Sequence, residues 1–341
     1  MDSNRTAAVV LLQFGGPDSL DAVQPFLYNI LNDKDIIDIP LAPIMQPIFA
    51  WLISRKRERE VRHEYEEMGG KSPIGEITAK QSAALQHALT RELGEGAVRT
   101  EIAMRYWKPF TEQTVCELMQ RNITDVVLLP LYAQYSRANA GSSFNEWDRV
   151  VKRLGAKFNE RRIREYKTNQ KYIRALNARI DEALLRFDDP GDVFILFSAH
   201  GTPLDFVTGG DPYSHHINDT VNAVMQLRGG SNRHILAYQS KLGPKKWLEP
   251  STTATVTKLA NEGVKKLLVV PVAFVSDHIE TIQELNVEER ENALEHGVEQ
   301  FEMTEGLNDS PLFIDALADL AINELAQLRP DLMVRTRPRV H

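Results

Sequence analysis

The sequence has a single cysteine, Cys116, among its 341 residues. One thiol cannot form an internal disulfide, cannot complete a zinc site of four thiolates and cannot hold an iron–sulfur cluster. The composition therefore fits a reducing compartment, and we expect no such cluster.

Long hydrophobic runs are also missing. The N-terminal residues Met1–Arg5 are polar and contain no apolar signal core. The most apolar stretch outside the predicted strands is Leu41–Ile53. It is shorter than the ~20 residues that a membrane-spanning helix needs, and Pro43 and Pro47 interrupt it. We expect a cytoplasmic protein with no spanning segment.

An excess of positive charge is absent as well, because the formal net charge is −7. Nucleic-acid binding usually needs a basic surface, so we expect no nucleic-acid partner. The segment Gly15-Gly16-Pro17 matches neither GxGxxG nor GxxxxGK[ST], and a tight turn is the favoured interpretation. A nucleotide-binding α/β enzyme is therefore disfavoured.

What the chain does have is a series of short apolar runs between helical stretches such as Thr78–Leu93 and Tyr172–Leu185. Several runs are apolar at successive positions, which is typical of parallel strands buried on both faces. Alternating strands and helices predict an α/β fold. The predicted strands are Ala7–Phe14, Arg99–Tyr106, Val126–Leu131, about Arg162–Tyr166, Val193–Ser198, His234–Gln239, Lys266–Val272 and about Gln300–Thr304.

The two halves of the chain resemble each other. Thr114–Pro130 and Thr255–Pro271 align without a gap at an offset of 271 − 130 = 141 residues. The match indicates either a duplication or the general likeness of helix–strand units, and the late proline in both strands is unusual. We predict an N-terminal domain over residues 1–188 and a C-terminal domain over 189–341, with the boundary near DDPG.

Unusual polar residues follow the predicted strands, at the sheet edge where ligands of such folds bind. His200 follows the fifth strand, and Asp277, His278 and Glu280, then Glu284, follow the seventh. On a helix the two glutamates would share a face and raise each other's proton affinity. The alternatives are a histidine satisfied by backbone and an N-cap with a capping box. One imidazole with one carboxylate suits transient binding of divalent iron.

Aromatic residues near the same strand ends have two possible uses. About half are explained by core packing, and the remainder could clamp a flat apolar ligand. Basic residues Arg55–Arg57, with Ser72, could neutralise carboxylates of that ligand, whereas i,i+4 pairs on a solvated helix explain most of these charges. The aromatic residues are Phe14, Tyr106, Trp107, Tyr132, Tyr135, Trp247 and Phe274.

These motifs together resemble the ferrochelatase family, in family order and over nearly the whole chain. SAH and SDHIE at strand ends are highly specific in combination, and YQSK followed by a tryptophan adds weight. The matching segments are Leu12–Pro17, Met68–Ile74, Met104–Pro109, Leu129–Ser143, Phe197–Pro203, Gly210–Tyr213, Tyr238–Pro250 and Val272–Leu285.

The resemblance implies two similar Rossmann-like domains, each with a four-stranded parallel sheet flanked by helices, and a porphyrin cleft between them. It implies a lyase of haem biosynthesis that inserts Fe²⁺ into protoporphyrin IX, with both as substrates and no permanently bound cofactor. It assigns His200 and Glu280 to iron and places His278 and Glu284 in support. Porphyrin-binding positions would be Phe14, Arg57, Ser72, Arg105, Tyr106, Tyr132, Gln239, Ser240, Lys241, Trp247 and Phe274.

The resemblance also implies an apolar lip, residues 26–53, that makes transient contact with the surface of the inner membrane. In the mechanism that we expect, Glu284 and Asp277 pass protons or metal away from the iron site. Two alternatives remain, namely a chelatase for coproporphyrin III or sirohydrochlorin and a non-catalytic haem or porphyrin carrier. Gly201-Thr202 and Glu249 depart from the residues that many relatives have, without touching the proposed chemistry.

Overall fold

The structure, a computed structural model, describes residues 6–37, 42–230, 232–240 and 245–335. Its strands are β1 (Ala7–Gln13), β2 (Val98–Met104), β3 (Asp125–Pro130), β4 (Asn159–Arg162), β5 (Phe194–His200), β6 (His234–Gln239), β7 (Lys266–Pro271) and β8 (Gln300–Met303).

The helices are α1 (Val23–Leu31), α2 (Ala42–Glu67), α3 (Ile74–Leu93), α4 (Thr111–Gln120), α5 (Ser142–Leu154), α6 (Gln170–Leu184), α7 (Leu204–Thr208), α8 (Tyr213–Leu227), α9 (Thr252–Asn261), α10 (Glu289–Glu295), α11 (Pro311–Leu328) and α12 (Pro330–Arg335). Two segments, Arg137–Gly141 and Glu280–Glu288, are π-helical.

Within the described residues the strands form two four-stranded sheets, ordered β2-β1-β3-β4 and β6-β5-β7-β8, and every pairing is parallel. All seven residues of β1 are buried, and so are the middle five of β5. Burial on both faces explains why these strands read as unbroken apolar runs. The predicted α/β class, with two parallel sheets flanked by helices, is confirmed.

The strand predictions agree with these bounds to within two residues, except for β4. Its sequence, NERR, is polar, and among the described strands it pairs with β3 alone, at the edge of its sheet. An edge strand needs no apolar run, and charged side chains there protect against unwanted pairing. The prediction followed the apolar residues Ile163 and Tyr166 instead, which are buried just beyond the strand.

The internal repeat extends to the boundaries of the elements. Helix α9 begins 252 − 111 = 141 residues after α4, and β7 begins 266 − 125 = 141 residues after β3. These are the segments that align in the sequence. The identical strand order of the two sheets supports a duplication over the general likeness of helix–strand units.

The division into compact units differs from the predicted boundary between residues 188 and 189. One unit comprises the described parts of 1–132, 137–165 and 309–341, and the other comprises 133–136 and 166–308. The chain returns at its end because α11 packs against α3, β3 and β4. An apolar helix face can be buried on any sheet that leaves room for it, so chain order did not reveal this arrangement.

Helix α2 is continuous, although the prolines in Leu41–Ile53 predicted an interruption. Pro47 lies in its second turn and has no N–H to donate to the carbonyl of residue 43, yet the helix runs through it. No helix within the described ranges is both long and apolar enough to cross a lipid bilayer.

Arg329, between α11 and α12, attaches the C-terminal segment to β3. Its guanidinium lies 3.2 Å from Asp125 and 2.7 Å from Asp331, and the side chains of Arg329 and Asp125 are only 10% and 14% exposed. We predict that Arg329→Ala lowers the stability by about 2 kcal/mol, because the mostly buried Asp125 carboxylate then loses its cationic partner and keeps only the neutral Asn159 amide among the described residues.

Thermal unfolding followed by circular dichroism measures this loss as a fall in Tm. Arg153→Ala is the matched control, because Arg153 pairs with Glu112 at the surface, where both side chains are more than half exposed. Such pairs contribute only about 0–1 kcal/mol. Equal shifts for the two variants would contradict the anchoring role of Arg329.

Candidate active site

The site is built where β5 and β7 end. His200 is the last residue of β5 and lies beside Gln239, the last residue of β6. After β7 the chain turns back, and the π-helical segment begins at Glu280. Parallel strands present their carboxyl ends at one edge of the sheet, so residues distant in sequence meet there.

His200 and Glu280 approach each other as the topology predicts. The imidazole Nδ1 lies 2.8 Å from the Glu280 Oε2, and the two side chains are 38% and 23% exposed. Burial opposes the charge on both groups, but their mutual attraction outweighs it. The pKa of His200 is raised by the carboxylate, and the pKa of Glu280 is held well below its usual range by the imidazole. The pair therefore favours imidazolium and carboxylate.

Glu284 lies one turn further along the π-helical segment and is held by two residues at the end of β6. The Ser240 hydroxyl donates to its Oε2 at 2.8 Å, and the Gln239 amide donates to the same oxygen at 3.4 Å. Burial and then the charge of Glu280 raise the pKa of Glu284 to about 7. Two carboxyl groups of one cluster thus have very different proton affinities, which is typical of acid–base sites.

The orientation of Gln239 is determined from the other side. Its Oε1 accepts a hydrogen bond of 3.0 Å from the Ser198 hydroxyl, which is itself 2.9 Å from the Thr252 hydroxyl. With the carbonyl oxygen occupied, the amide nitrogen points toward Glu284 and the Glu280 carbonyl. Ser198 and Thr252 are buried, so this arrangement is shielded from solvent.

His278 and Phe274 form an aromatic side of the site. The Phe274 ring meets His278 edge-on at 4.5 Å between centroids and meets His200 edge-on at 6.3 Å. Burial lowers the pKa of His278, and its Nδ1 lies 3.1 Å from the Ser276 carbonyl. A carbonyl only accepts, so a neutral His278 carries its proton on Nδ1 and leaves Nε2 as a lone pair.

Asp277 makes its hydrogen bonds to residues other than His200, Glu280 and Glu284. Its carboxylate accepts hydrogen bonds from the Gly306 amide, the Asn308 side chain and the Thr281 hydroxyl, at 2.7 to 3.2 Å. These bonds hold the loop after β8 against the start of the π-helical segment. The role of Asp277 in passing protons stays a prediction. The capping box with Glu280 does not form, because the Asp277 amide donates to Asn308 and its carboxylate accepts from Thr281.

Gly201 allows two elements to approach closely next to His200. A Cβ at this position would lie 2.7 Å from the Gln239 carbonyl oxygen and 3.2 Å from the Trp247 ring. Trp247 is half-buried there, and its segment pairs with Pro203 as an isolated bridge. Glycine at this position thus lets the Trp247 ring lie against the backbone beside His200.

The predicted residues Arg105 and Tyr106 belong to the N-terminal unit, where both bind a buried carboxylate. Asp33 Oδ2 lies 2.9 Å from Arg105 Nη2, 2.7 Å from the Tyr106 hydroxyl and 2.5 Å from the Ser142 hydroxyl. Burial would raise the pKa of Asp33, but Arg105 and the hydroxyls lower it. The polar atoms of this cluster are largely used inside the unit.

The other predicted positions of this unit differ in their surroundings. Phe14 stacks edge-on against Tyr106 at 4.6 Å, and Tyr132 is half-buried, with its pKa raised by burial. Ser72 is buried against the loop after β1, where a Cβ on Gly16 would lie 2.5 Å from its hydroxyl oxygen. Arg57 is half-buried on α2 and makes no hydrogen bond or ion pair with another described residue.

Lys241 lies outside the described residues. Among the residues that are described, no group of three histidine, cysteine, aspartate or glutamate side chains could hold a metal ion. His200 and Glu280 thus offer two ligands and not a closed cage.

Sequence reasoning missed the residues that support the site without lining it. Asp33 lacks any local signal, because an aspartate after a helix is ordinarily solvated. Ser198 lies within the SAH motif, and Asp211 and Tyr213 lie within GDPY, yet no role followed from the motifs themselves. Their roles come from contacts across the fold, such as the 3.0 Å bond from the Tyr213 hydroxyl to the His200 carbonyl.

Comparison with known proteins identifies close relatives over almost the entire chain. The family described as Ferrochelatase matches residues 6–325. A ferrochelatase of Geotalea daltonii is 46% identical over 313 residues, which cover 92% of this chain and 96% of the relative. A ferrochelatase of Geobacter metallireducens is 48% identical over the same length and shares of the two chains.

Solved structures support the fold alone. SirB from Bacillus subtilis, with Fe³⁺, superposes with a TM-score of 0.54 at 12% sequence identity, covering 94% of this chain and 97% of that chain. A cobalt complex of the sirohydrochlorin chelatase SirB from a Bacillus subtilis subspecies gives a TM-score of 0.52 at 10% identity, covering 96% of this chain and 95% of that chain.

The raised pKa of Glu284 predicts a pH-dependent effect on stability. A carboxyl group whose pKa rises from its ordinary 4.5 to about 7 on folding stabilises the protein fully below pH 4.5, and this contribution is lost as the pH rises through 7. We predict that Glu284→Gln raises Tm relative to wild type by a few degrees at pH 8, and that the gain shrinks at pH 5.

Differential scanning calorimetry at the two pH values measures this difference. Glu291→Gln on α10 is the control, because Glu291 is exposed. A gain for Glu284→Gln that is the same at both pH values would show that the carboxyl group does not titrate in this window.

Proposed function

Because the chain belongs to the ferrochelatase family, we propose that it inserts Fe²⁺ into protoporphyrin IX to form protohaem, with release of two protons. Such an enzyme is a lyase, and the reaction is the terminal step of haem biosynthesis. Iron and porphyrin are both substrates.

The observation that carries this proposal is the imidazole–carboxylate pair of His200 and Glu280 at the carboxyl end of β5. Nitrogen and oxygen donors bind divalent iron, and two protein ligands hold it less firmly than a closed site would. A metal in transit must bind and then leave. A carrier of haem or porphyrin would have no use for a second buried carboxyl group such as Glu284.

The protonation of the pair links metal binding to proton release. The imidazolium–carboxylate contact holds a proton where Fe²⁺ would bind, so binding of iron displaces that proton from His200. Once iron passes to the porphyrin, the neutral imidazole can accept a pyrrole proton. Glu284 has a pKa of about 7 and can take up or give a proton near neutral pH.

The porphyrin must expose its inner nitrogen lone pairs, which a flat ring hides. Aromatic side chains that favour a buckled ring would stabilise the transition state more than the flat product. Phe274 and Trp247 are the candidates for such contacts in the C-terminal unit. Arg57 and Ser72 would bind a propionate, in line with the Arg57 guanidinium, which pairs with none of the described residues.

The proposal includes no permanently bound cofactor and no iron–sulfur cluster. The sequence has one cysteine, and a cluster needs several thiolates.

We extend the proposal to the predicted lip, whose last part is the start of α2. Five large apolar side chains are 46% to 70% exposed there, within an arc of about 120° at 3.6 residues per turn. Arg55, Arg59 and Arg62 continue the same stripe, and Arg55 lies over the Trp51 ring. An apolar face bordered by cations suits the surface of an anionic membrane. The five residues are Ile44, Met45, Ile48, Trp51 and Leu52.

We propose a cytoplasmic protein that binds transiently to the surface of the inner membrane, where an apolar substrate is accessible. The exposed apolar face at the start of α2 supports the membrane contact.

We predict that His200→Ala and Glu280→Gln each lower kcat by at least about 100-fold, because each removes a metal ligand and a proton acceptor. Anaerobic incubation with protoporphyrin IX and Fe²⁺, followed by porphyrin absorption, measures turnover. His87→Ala and Glu291→Gln change the same residue types at exposed positions and serve as controls.

Coproporphyrin III and sirohydrochlorin are tested in parallel with the wild type. Faster turnover of either would move the proposal to that substrate. Porphyrin binding without metallation of any of the three would indicate a carrier, and normal turnover by His200→Ala would remove the iron-site assignment.

For the lip, we predict that the double variant Ile48→Ser/Trp51→Ser loses at least about tenfold in binding to phosphatidylglycerol vesicles, because apolar area no longer enters the bilayer. Sedimentation with vesicles measures the partition coefficient. Leu185→Ser removes an apolar side chain that is 82% exposed elsewhere and is the matched control. Equal binding by both variants would contradict membrane contact through α2.

A further inference from the structure

The segment GDPY, Gly210–Tyr213, has no part in the chemistry proposed above, although it lies beside the site. It connects α7 to α8 and provides the first residue of α8. Its side chains are more buried than is usual for a connecting loop, since Asp211 is 7% exposed and Tyr213 is 4% exposed. A buried aspartate and a buried phenol both need partners.

The Tyr213 hydroxyl donates to the backbone carbonyl of His200 at 3.0 Å. His200 ends β5, so its carbonyl lies where the regular pairing of the sheet stops, and the tyrosine satisfies it. Burial raises the pKa of Tyr213 well above its ordinary value. The phenol therefore remains a donor at any working pH.

Asp211 fixes the tyrosine in turn. One carboxylate oxygen accepts from the backbone amide of Tyr213 at 3.0 Å, and the other accepts from the Ser136 hydroxyl at 2.9 Å. The Asp211 amide donates to the Phe206 carbonyl at 3.0 Å. The first turn of α8 is thereby anchored to both its neighbouring loop and the segment that follows β3.

His200 is thus held at two points. Glu280 binds the imidazole from one side, and Tyr213 binds the carbonyl of the same residue. The two peptide groups that flank a side chain determine where its ring points, and metal-binding groups work only within about 0.5 Å of their productive position.

We propose that Tyr213 and Asp211 are positioning residues for the iron site, which hold the His200 backbone so that its imidazole faces Glu280. The inference rests on the proposed function for its role in catalysis, while the geometric claim concerns the orientation of His200 alone.

The test compares Tyr213→Phe with Tyr172→Phe in the full chain. Tyr172 is also buried in the same unit, and its hydroxyl is 3.1 Å from the Gln134 amide. Both variants therefore lose one buried hydroxyl group and keep the aromatic ring. Two readouts are independent of turnover. The first is the imidazole ¹⁵N signal of His200, assigned by its loss in His200→Ala. The second is Zn²⁺ affinity without porphyrin, measured by calorimetry.

We expect Tyr213→Phe to shift the His200 signal and to weaken Zn²⁺ binding about 10- to 100-fold, the range for partners that orient metal ligands. Turnover of Tyr213→Phe falls together with its Zn²⁺ affinity. Its KM for porphyrin stays within about twofold of wild type, because the aromatic ring is retained. Tyr172→Phe leaves the signal and the Zn²⁺ affinity unchanged.

A Tyr213→Phe protein with the wild-type signal and Zn²⁺ affinity would overturn the inference, as would equal changes in both variants. If Tyr213→Phe does not fold, Asp211→Asn decides the question by the same two readouts. Wild-type protein that binds Zn²⁺ through His200 but metallates no porphyrin would contradict the proposed function and leave the positioning role to be judged on its own readouts.

Discussion

The parallel pairing of β5 with β6 on one side and β7 on the other is the constraint on which the site depends. Its register places His200 beside Gln239 and Ser198 beside Pro271. All three strands therefore end at one edge of the sheet. A slip of one residue in β5 would turn His200 to the opposite face, away from the π-helical segment. The burial of β5 on both faces makes such a slip costly.

Burial then determines what the charged groups at that edge can do. A lone carboxylate in this position would be driven toward its neutral form, and Glu284 shows that behaviour. Glu280 escapes it because His200 lies 2.8 Å away. Near neutral pH the Glu280 carboxyl group is therefore ionised, whereas the Glu284 carboxyl group is partly protonated. A reaction that must release protons as a metal ion moves needs such a difference.

The two units share a scaffold through the repeat, but the N-terminal unit lacks the two glutamates at the equivalent positions. At the offset of 141 residues, Glu280 and Glu284 correspond to Asn139 and Ser143. The N-terminal unit also has a π-helical turn after β3, as the C-terminal unit has after β7. The buried carboxylate of Asp33 in this unit is neutralised by Arg105. Duplication therefore explains the common scaffold, whereas the carboxylates that suit a metal ion belong to one copy.

The sequence by itself determined the α/β class, most strand bounds, the repeat and the pairing of His200 with Glu280. These follow from local apolar periodicity and from the rule that parallel strands end at one edge. Only the tertiary structure decided that Asp277 holds the loop after β8, that Asp33 is buried under Arg105, and that α11 packs on the first sheet. Each of these depends on contacts between residues far apart in the chain, which no local pattern records. Whether an aspartate is solvated, capping or buried is determined by what the rest of the fold places against it.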